Sequence, residues 1–154
     1  MAVDMQKPFS TIDHFGLTVS DLDAAVDFWT AFLGSGPVVR RVYDAEYTAD
    51  VTGYRGARLD IAIYDIDGSV GLELIVYLTE PRSARLDRAT PGASHLSLRT
   101  DDIDHSVLSA ISAGASIVGA GPTLITSGPN QGGRMCYLDL PGNSTLELFQ
   151  ATST

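Results

Sequence analysis

Two stretches of this chain, 81 residues apart, are built to one pattern. His14, Leu17, Asp21, Leu22 and Asp23 are matched at that spacing by His95, Leu98, Asp102, Ile103 and Asp104. Each copy is followed by a Leu-Glu-Leu segment, centred on Glu73 in the first half and Glu147 in the second. A repeat of this kind constrains the fold more than any other feature, because each copy is one supersecondary unit that buries its apolar face only with its twin. The 154 residues then form one domain, 1–154, made of two half-length modules around a shared core.

Composition narrows the function classes. Ten basic against nineteen acidic side chains give a formal charge of -9, so the surface repels phosphate backbones and anionic lipid, and nucleic acid is not an expected partner. No run of apolar residues is long enough to span a membrane, and Met1 to Ser10 lack the apolar centre of a signal peptide. A cytoplasmic protein is expected. The lone Cys136 agrees, since it allows no internal disulfide, and it reads as a small core residue. Nine of the ten basic residues are arginines, which suit two-pronged recognition of a carboxylate or phosphate wherever a few converge.

The hydrophobic periodicity gives each half the same element order. Ile12 to Val19 alternates as a strand, and Ser20 with Asp23 three positions on reads as a helix start. Ala25, Val26, Phe28, Trp29, Phe32 and Leu33 then recur at helical spacing up to the Gly34-Ser-Gly36-Pro37 stop. Strand character returns at 37–43, 57–64 and 71–78. The second half repeats this with a strand at 94–100, a helix from the acidic run Asp101 to Asp104 to Gly114, and strands at 116–118, 134–140 and 145–150. The reading is an α+β chain of two βαβββ modules, 11–78 and 92–151, joined by a charged, proline-containing linker at 79–91. Segments 45–56 and 123–133 read as long irregular loops, the second glycine-rich.

Strand alternation sorts the candidate site residues. Leu72, Leu74 and Val76 share one face and leave Glu73 on the other. Leu96 and Leu98 leave His95, Ser97 and Arg99 opposite, Leu146 and Leu148 leave Glu147 opposite, and Phe15, Leu17 and Val19 leave His14 opposite. Two imidazoles and two carboxylates would thus point into one concave face. This nitrogen and oxygen set suits one divalent ion such as Zn, Ni, Fe, Mn or Co. A metal there, holding adjacent substrate oxygens, would acidify the neighbouring C-H bond, with Glu147 or Glu73 as base. Asp60 alternates away from Leu59, Ile61 and Ile63, which makes it a candidate second acid/base in the same cup. Arg99, on the His95 face, and Arg134, beside the glycine-rich loop, are candidates for binding a substrate anion.

With these residues in place, the chain resembles the vicinal oxygen chelate superfamily, which includes glyoxalase I, methylmalonyl-CoA epimerase, extradiol dioxygenases and the fosfomycin- and bleomycin-resistance proteins. The resemblance runs from Ile12-Asp-His14 through Ser20-Asp-Leu-Asp23, Phe28-Trp29 and Leu33-Gly34 to Ser94-His95-Leu-Ser-Leu-Arg-Thr-Asp-Asp-Ile-Asp104, Tyr137-Leu-Asp-Leu-Pro-Gly-Asn143 and Leu146-Glu-Leu148. It implies sheets forming an open barrel around one metal, often within a homodimer. The quartet His14, Glu73, His95 and Glu147 is similar to that of glyoxalase I and the epimerases, whereas the dioxygenases and fosfomycin enzymes use two His and one carboxylate. What the resemblance implies is therefore a metal-dependent lyase or isomerase of glyoxalase I type acting on a small α-carbonyl compound or its thiol adduct, with Glu147 favoured as base. The alternatives are an acyl-CoA epimerase and a small-molecule binding protein of the bleomycin-resistance type. Two departures stand out: Asp139-Leu-Pro-Gly-Asn143 replaces the usual Asp-Pro-Asp-Gly-Asn turn, and Ser94-His95 replaces the epimerases' His-His pair.

Overall fold

The structure is a computed structural model that describes residues 9–79 and 86–152, so 1–8, the stretch 80–85 of the expected linker and 153–154 lie outside the described residues. The first module contains β1 (His14–Thr18), α1 (Leu22–Leu33), β2 (Val39–Tyr43), α2 (Ala45–Thr52), β3 (Leu59–Asp65) and β4 (Gly71–Tyr77). The second contains β5 (Leu96–Arg99), α3 (Ile103–Ser112), β6 (Ser116–Leu124), β7 (Arg134–Asp139) and β8 (Thr145–Gln150). Each module makes one four-stranded sheet, in the orders β1-β4-β3-β2 and β5-β8-β7-β6. In both, the first strand runs parallel to the last and the other pairings are antiparallel. The repeat in the sequence is thus a repeat of topology.

Local chemistry places the helices. Asp21 caps α1, its Oδ1 accepting from the Ala24 N–H at 3.0 Å, and Asp102 caps α3 in the same way through the His105 N–H at 3.0 Å. The first cap is therefore Asp21 rather than Ser20, whose hydroxyl instead accepts from the Asn143 amide at 2.8 Å. Gly34, at φ 73°, ends α1 with its N–H on the Thr30 carbonyl. Segment 45–56, read as a loop, contains α2: Thr48 Oγ1 bonds the Asp44 and Ala57 carbonyls, and Gly53 closes the helix at φ 76°.

Helices α1 and α3 each cover one face of their own sheet. Phe28 and Trp29 of α1 are 1 % exposed and meet edge to face with centroids 5.3 Å apart. They pack towards Leu17, Leu72, Leu74 and Val76, and Ile103, Val107 and Ala110 of α3 do the same for Leu146 and Leu148. The two halves merge in one hydrophobic cluster in which α1 touches α3. The turn Pro141 to Asn143 fastens the modules together. Ser20 N–H donates to the Gly142 carbonyl at 3.0 Å, and a Cβ on Gly142 would sit 3.1 Å from the Asp21 carbonyl oxygen and 3.2 Å from the Ala25 and Val19 Cβ atoms. Only glycine fits there. The modules therefore share their helix side, and the other face of each sheet, which carries the candidate ligands, is turned away from it. No helix among the described residues is long and apolar enough to cross a membrane.

Candidate functional site

The register defines which side chains occupy each ligand face. In the first sheet Gly16 lies beside Glu73, with Ile63 on the far side, so His14, Glu73 and Ile75 share a face. In the second sheet Ser97 lies beside Glu147 with Tyr137 on the far side. The matched positions are Gly16 and Ser97, Glu73 and Glu147, Ile63 and Tyr137.

Each module brings one imidazole to one carboxylate. His14 Nε2 lies 3.4 Å from Glu73 Oε2, and His95 Nε2 lies 3.3 Å from Glu147 Oε2. Two ligands about 2.1 Å from one metal lie about 3.0 Å apart at a right angle and about 3.4 Å apart at a tetrahedral angle, so both pairs have the spacing of neighbouring ligands. The carboxylates are mostly sheltered, at 18 % and 14 % side-chain exposure, while the imidazoles are about half exposed. That arrangement leaves room for a further ligand. Close approach is possible in the first module because Gly71 has no side chain: a Cβ there would stand 3.2 Å from that of His14.

The surroundings of the two pairs differ. His14 Nδ1 contacts Asp13 Oδ2 at 2.8 Å, which fixes the tautomer that presents a Nε2 lone pair, as carboxylate partners of metal-binding histidines do. The Asp13 hydrogen bond is also the main cause that raises the His14 pKa; burial opposes it and the Glu73 charge adds to it. In the second module Ser97 Oγ donates to Glu147 Oε1 at 2.8 Å, leaving Oε2 towards His95. The Tyr137 ring stands edge-on to His95 with centroids 5.1 Å apart, and its hydroxyl is 3.5 Å from Nε2. Burial, and then the Glu147 carboxylate, push the Tyr137 phenol up. Opposite Glu73, Gly16 supplies no hydroxyl.

The four candidate ligands stand as two pairs. Among the described residues no group of three or more His, Cys, Asp or Glu side chains is close enough to hold a metal, and no strand pairing joins the two sheets. Among the described residues one chain therefore holds two separate His–Glu pairs.

Three other candidates separate. Arg99 is on the Glu147 face, two residues beyond Ser97, with its guanidinium 6.0 Å from the Phe149 ring centroid. Asp60 is a correction. It lies opposite Val76 and Val42, on the helix face, with Oδ2 3.8 Å from the Arg40 guanidinium, which itself reaches Asp23 at 2.5 Å. The apolar row Leu59, Ile61 and Ile63 is what faces the cup. Arg134 is a second correction: opposite Gln150, it makes two hydrogen bonds to Asp104 at 2.6 and 2.9 Å and braces the first turn of α3. That pairing holds the Asp104 carboxyl below its usual range. Cys136 lies in the core, where burial pushes its thiol up.

Sequence reasoning did not find the aromatic wall of the first cup. Tyr43, Leu59 and Tyr77 form one cross-strand row on the ligand face. Tyr43 meets Tyr47 at 6.1 Å and Tyr77 meets Tyr54 at 5.7 Å between centroids. Segment 44–57 therefore lies over one end of the cup. Arg41 stands in the neighbouring row with Ile61 and Ile75, its guanidinium 5.2 Å from the Tyr43 centroid.

Residues 13–137 match the model of the Glyoxalase/Bleomycin resistance protein/Dioxygenase superfamily. A 2-epi-5-epi-valiolone epimerase from an Actinomyces species is 31 % identical over 145 residues, covering 90 % of this chain and 78 % of the relative. A glyoxalase family protein from Bacillus cereus superposes with a TM-score of 0.79 at 24 % identity, covering 99 % of this chain and all of the other. A glyoxalase I mutant from Zea mays gives 0.61 at 19 % identity, with 90 % of this chain matching 45 % of the maize protein. At those identities the solved structures speak for the fold.

Proposed function

Because the chain belongs to the Glyoxalase/Bleomycin resistance protein/Dioxygenase superfamily, we propose that its twin His–Glu pairs hold one divalent metal and that it moves a proton at a carbon next to a carbonyl of a small oxygenated substrate. The observation that carries this reading is the pair of spacings, 3.4 Å for His14–Glu73 and 3.3 Å for His95–Glu147, at matched register positions. The two pairs lie on faces turned away from the helix-side core that joins the modules. A second copy of the chain is the natural way to bring them together, with the first module of one protomer facing the second module of its partner. Each homodimer would then contain two four-ligand sites.

A divalent ion in that site would bind two neighbouring substrate oxygens and stabilise the negative charge that develops when the adjacent C–H bond gives up its proton. The chain's own residues divide the remaining work. Ser97 anchors Glu147 through one oxygen, which keeps that carboxylate in place as a ligand. Glu73, with Gly16 beside it, has no such tether, so it is the carboxylate free to swing to the substrate, take the proton and return it. This assigns the base to Glu73, against the preference for Glu147 implied by the resemblance alone. Delivery of a proton from water to the opposite face of the same carbon, the abstracted proton staying on Glu73, gives epimerisation, and return of the Glu73 proton to the neighbouring carbon gives isomerisation. The epimerase name of the 31 % identical relative favours the first over the thiol-adduct lyase reaction.

The tyrosine-lined cup favours a second reading, a non-catalytic small-molecule binder of the bleomycin-resistance type, for which the carboxylates would be dispensable. Metal analysis of untagged protein, followed by deuterium uptake from D₂O into cyclic polyhydroxy ketones, methylmalonyl-CoA and methylglyoxal hemithioacetal, separates the readings. About one metal per chain and exchange lost in Glu73→Gln are expected. Metal-free protein that binds ligands equally well after Glu73→Gln and Glu147→Gln would overturn the enzyme reading.

A further inference from the structure

The described arginines fall into groups with different partners. Arg40 is held by Asp23, Arg88 by Asp139 and Arg134 by Asp104. Arg41 pairs with no carboxylate among the described residues, although the chain has nineteen acidic side chains to offer. Its contact is the Tyr43 ring, over which the guanidinium lies at 5.2 Å. Stacking of this kind fixes the plane of the guanidinium and leaves its N–H edge free to bind a planar or tetrahedral anion.

Its position gives that free edge a use. Arg41, Ile61 and Ile75 form the row next to the one containing Ile63 and Glu73, on the same face. Two strand spacings across and two residues along place the Arg41 and Glu73 Cα atoms about 12 Å apart, a separation that leaves room for a small molecule between carboxylate and guanidinium. The surface between them is apolar, formed by Ile61, Ile63 and Ile75, with Arg41 exposed at the sheet edge where a ligand can reach it. Resting on the metal-centred reading above, we infer that the substrate has an anionic group, a carboxylate or phosphate ester, and that Arg41 binds it at the tyrosine end of the first module's cup. Arg41 is then a specificity determinant that selects acids over their neutral analogues.

The test uses the full chain loaded with zinc and titrated calorimetrically with metal-chelating hydroxamates. Acetohydroxamic acid reports on the metal alone. The mono-hydroxamate of succinic acid, its methyl ester and a phosphonate-tailed analogue report on the second subsite. An anionic tail is expected to tighten binding about tenfold or more over the ester, as hydrogen bonds to a charged group do. That advantage should vanish in Arg41→Gln and persist in Arg134→Gln, while acetohydroxamate binds all three proteins alike. The tail with the larger gain identifies the anion as carboxylate or phosphate. Equal affinity for acid and ester, or an advantage surviving in Arg41→Gln, would overturn the inference and leave the metal reading intact. Failure of every hydroxamate, acetohydroxamate included, would overturn both.

Discussion

If the two half-sites meet across a pair of chains, each can be disabled separately and recovered by mixing. A chain carrying His14→Ala and Glu73→Ala keeps His95 and Glu147, and a chain carrying His95→Ala and Glu147→Ala keeps the other pair. Neither homodimer can then form a four-ligand site. All four side chains lie on ligand faces outside the core cluster, so both variants are expected to fold. After equal amounts are reassorted by brief mild denaturation, half of the dimers contain unlike chains. Each of these has one intact site and one site lacking all four ligands. The mixture should therefore recover about 0.25 metal per chain, against about 1 in the wild type and close to none in either parent. Metal analysis after gel filtration reads this directly. No recovery on mixing, with the wild type holding its metal, would refute assembly across chains, and metal retained by either parent would refute the shared quartet.

Three further outcomes are expected. Leu74→Ala removes a fully buried side chain beneath α1 and should cost about 2–5 kcal/mol, lowering Tm by roughly 5–15 °C in a thermal melt with little change in metal content. Metal uptake should be complete above the raised pKa of His14 and be lost as pH falls through it, because the protonated imidazole has no free Nε2 lone pair. Asp13→Asn removes the main cause of that rise, so in a titration of bound metal against pH its midpoint should move down towards the ordinary imidazole value while affinity at high pH weakens about tenfold or more. Arg134→Gln should leave ligand binding unchanged but return Asp104 to its ordinary range. The increment from this pair exists above the carboxyl's unfolded pKa and fades as pH falls through the lowered one, so urea midpoints of variant and wild type should converge on acidification.

Much of this architecture was legible because the repeat marks positions with one role. Asp21 and Asp102 are the caps, and Leu72, Leu74, Leu146 and Leu148 fix the faces on which Glu73 and Glu147 stand. Asp60 was misplaced for a physical reason. Strand β3 is sheltered on both sides, by α1 over Ala62 and Tyr64 and within the cup at Leu59 and Ile61, so alternation alone gave no sign of which row was the core. Arg134 looked available because its partner Asp104 is thirty residues away and nothing local announces the pair. Helix α2 is eight residues long, too short for an apolar stripe to be read. Its signals were the Asp44-Ala-Glu46 start and Gly53. Arg41 alternates with valines and another arginine in the run Val39 to Tyr43, and only the register with Ile61 shows which arginine enters the cup.

The difference between Gly16 and Ser97 has a consequence for the handedness of the chemistry. Duplication would give the proposed site near twofold symmetry, in which a substrate would meet equivalent carboxylates from either side. One hydroxyl breaks that equivalence. A Cβ at Gly16 would lie 3.8 Å from Glu73 Oε2 and 3.9 Å from Ile75 Cδ1, ordinary contacts that a serine tolerates. Exchanging the two residues, Gly16→Ser with Ser97→Gly, would move the tether from one glutamate to the other without touching the core. Which of the two substrate epimers loses its proton to the untethered glutamate, read by the rate of deuterium uptake from D₂O into each epimer separately, should switch with it. A fold assembled from copies can in this way change the sense of its reaction at two positions that lie outside its hydrophobic core.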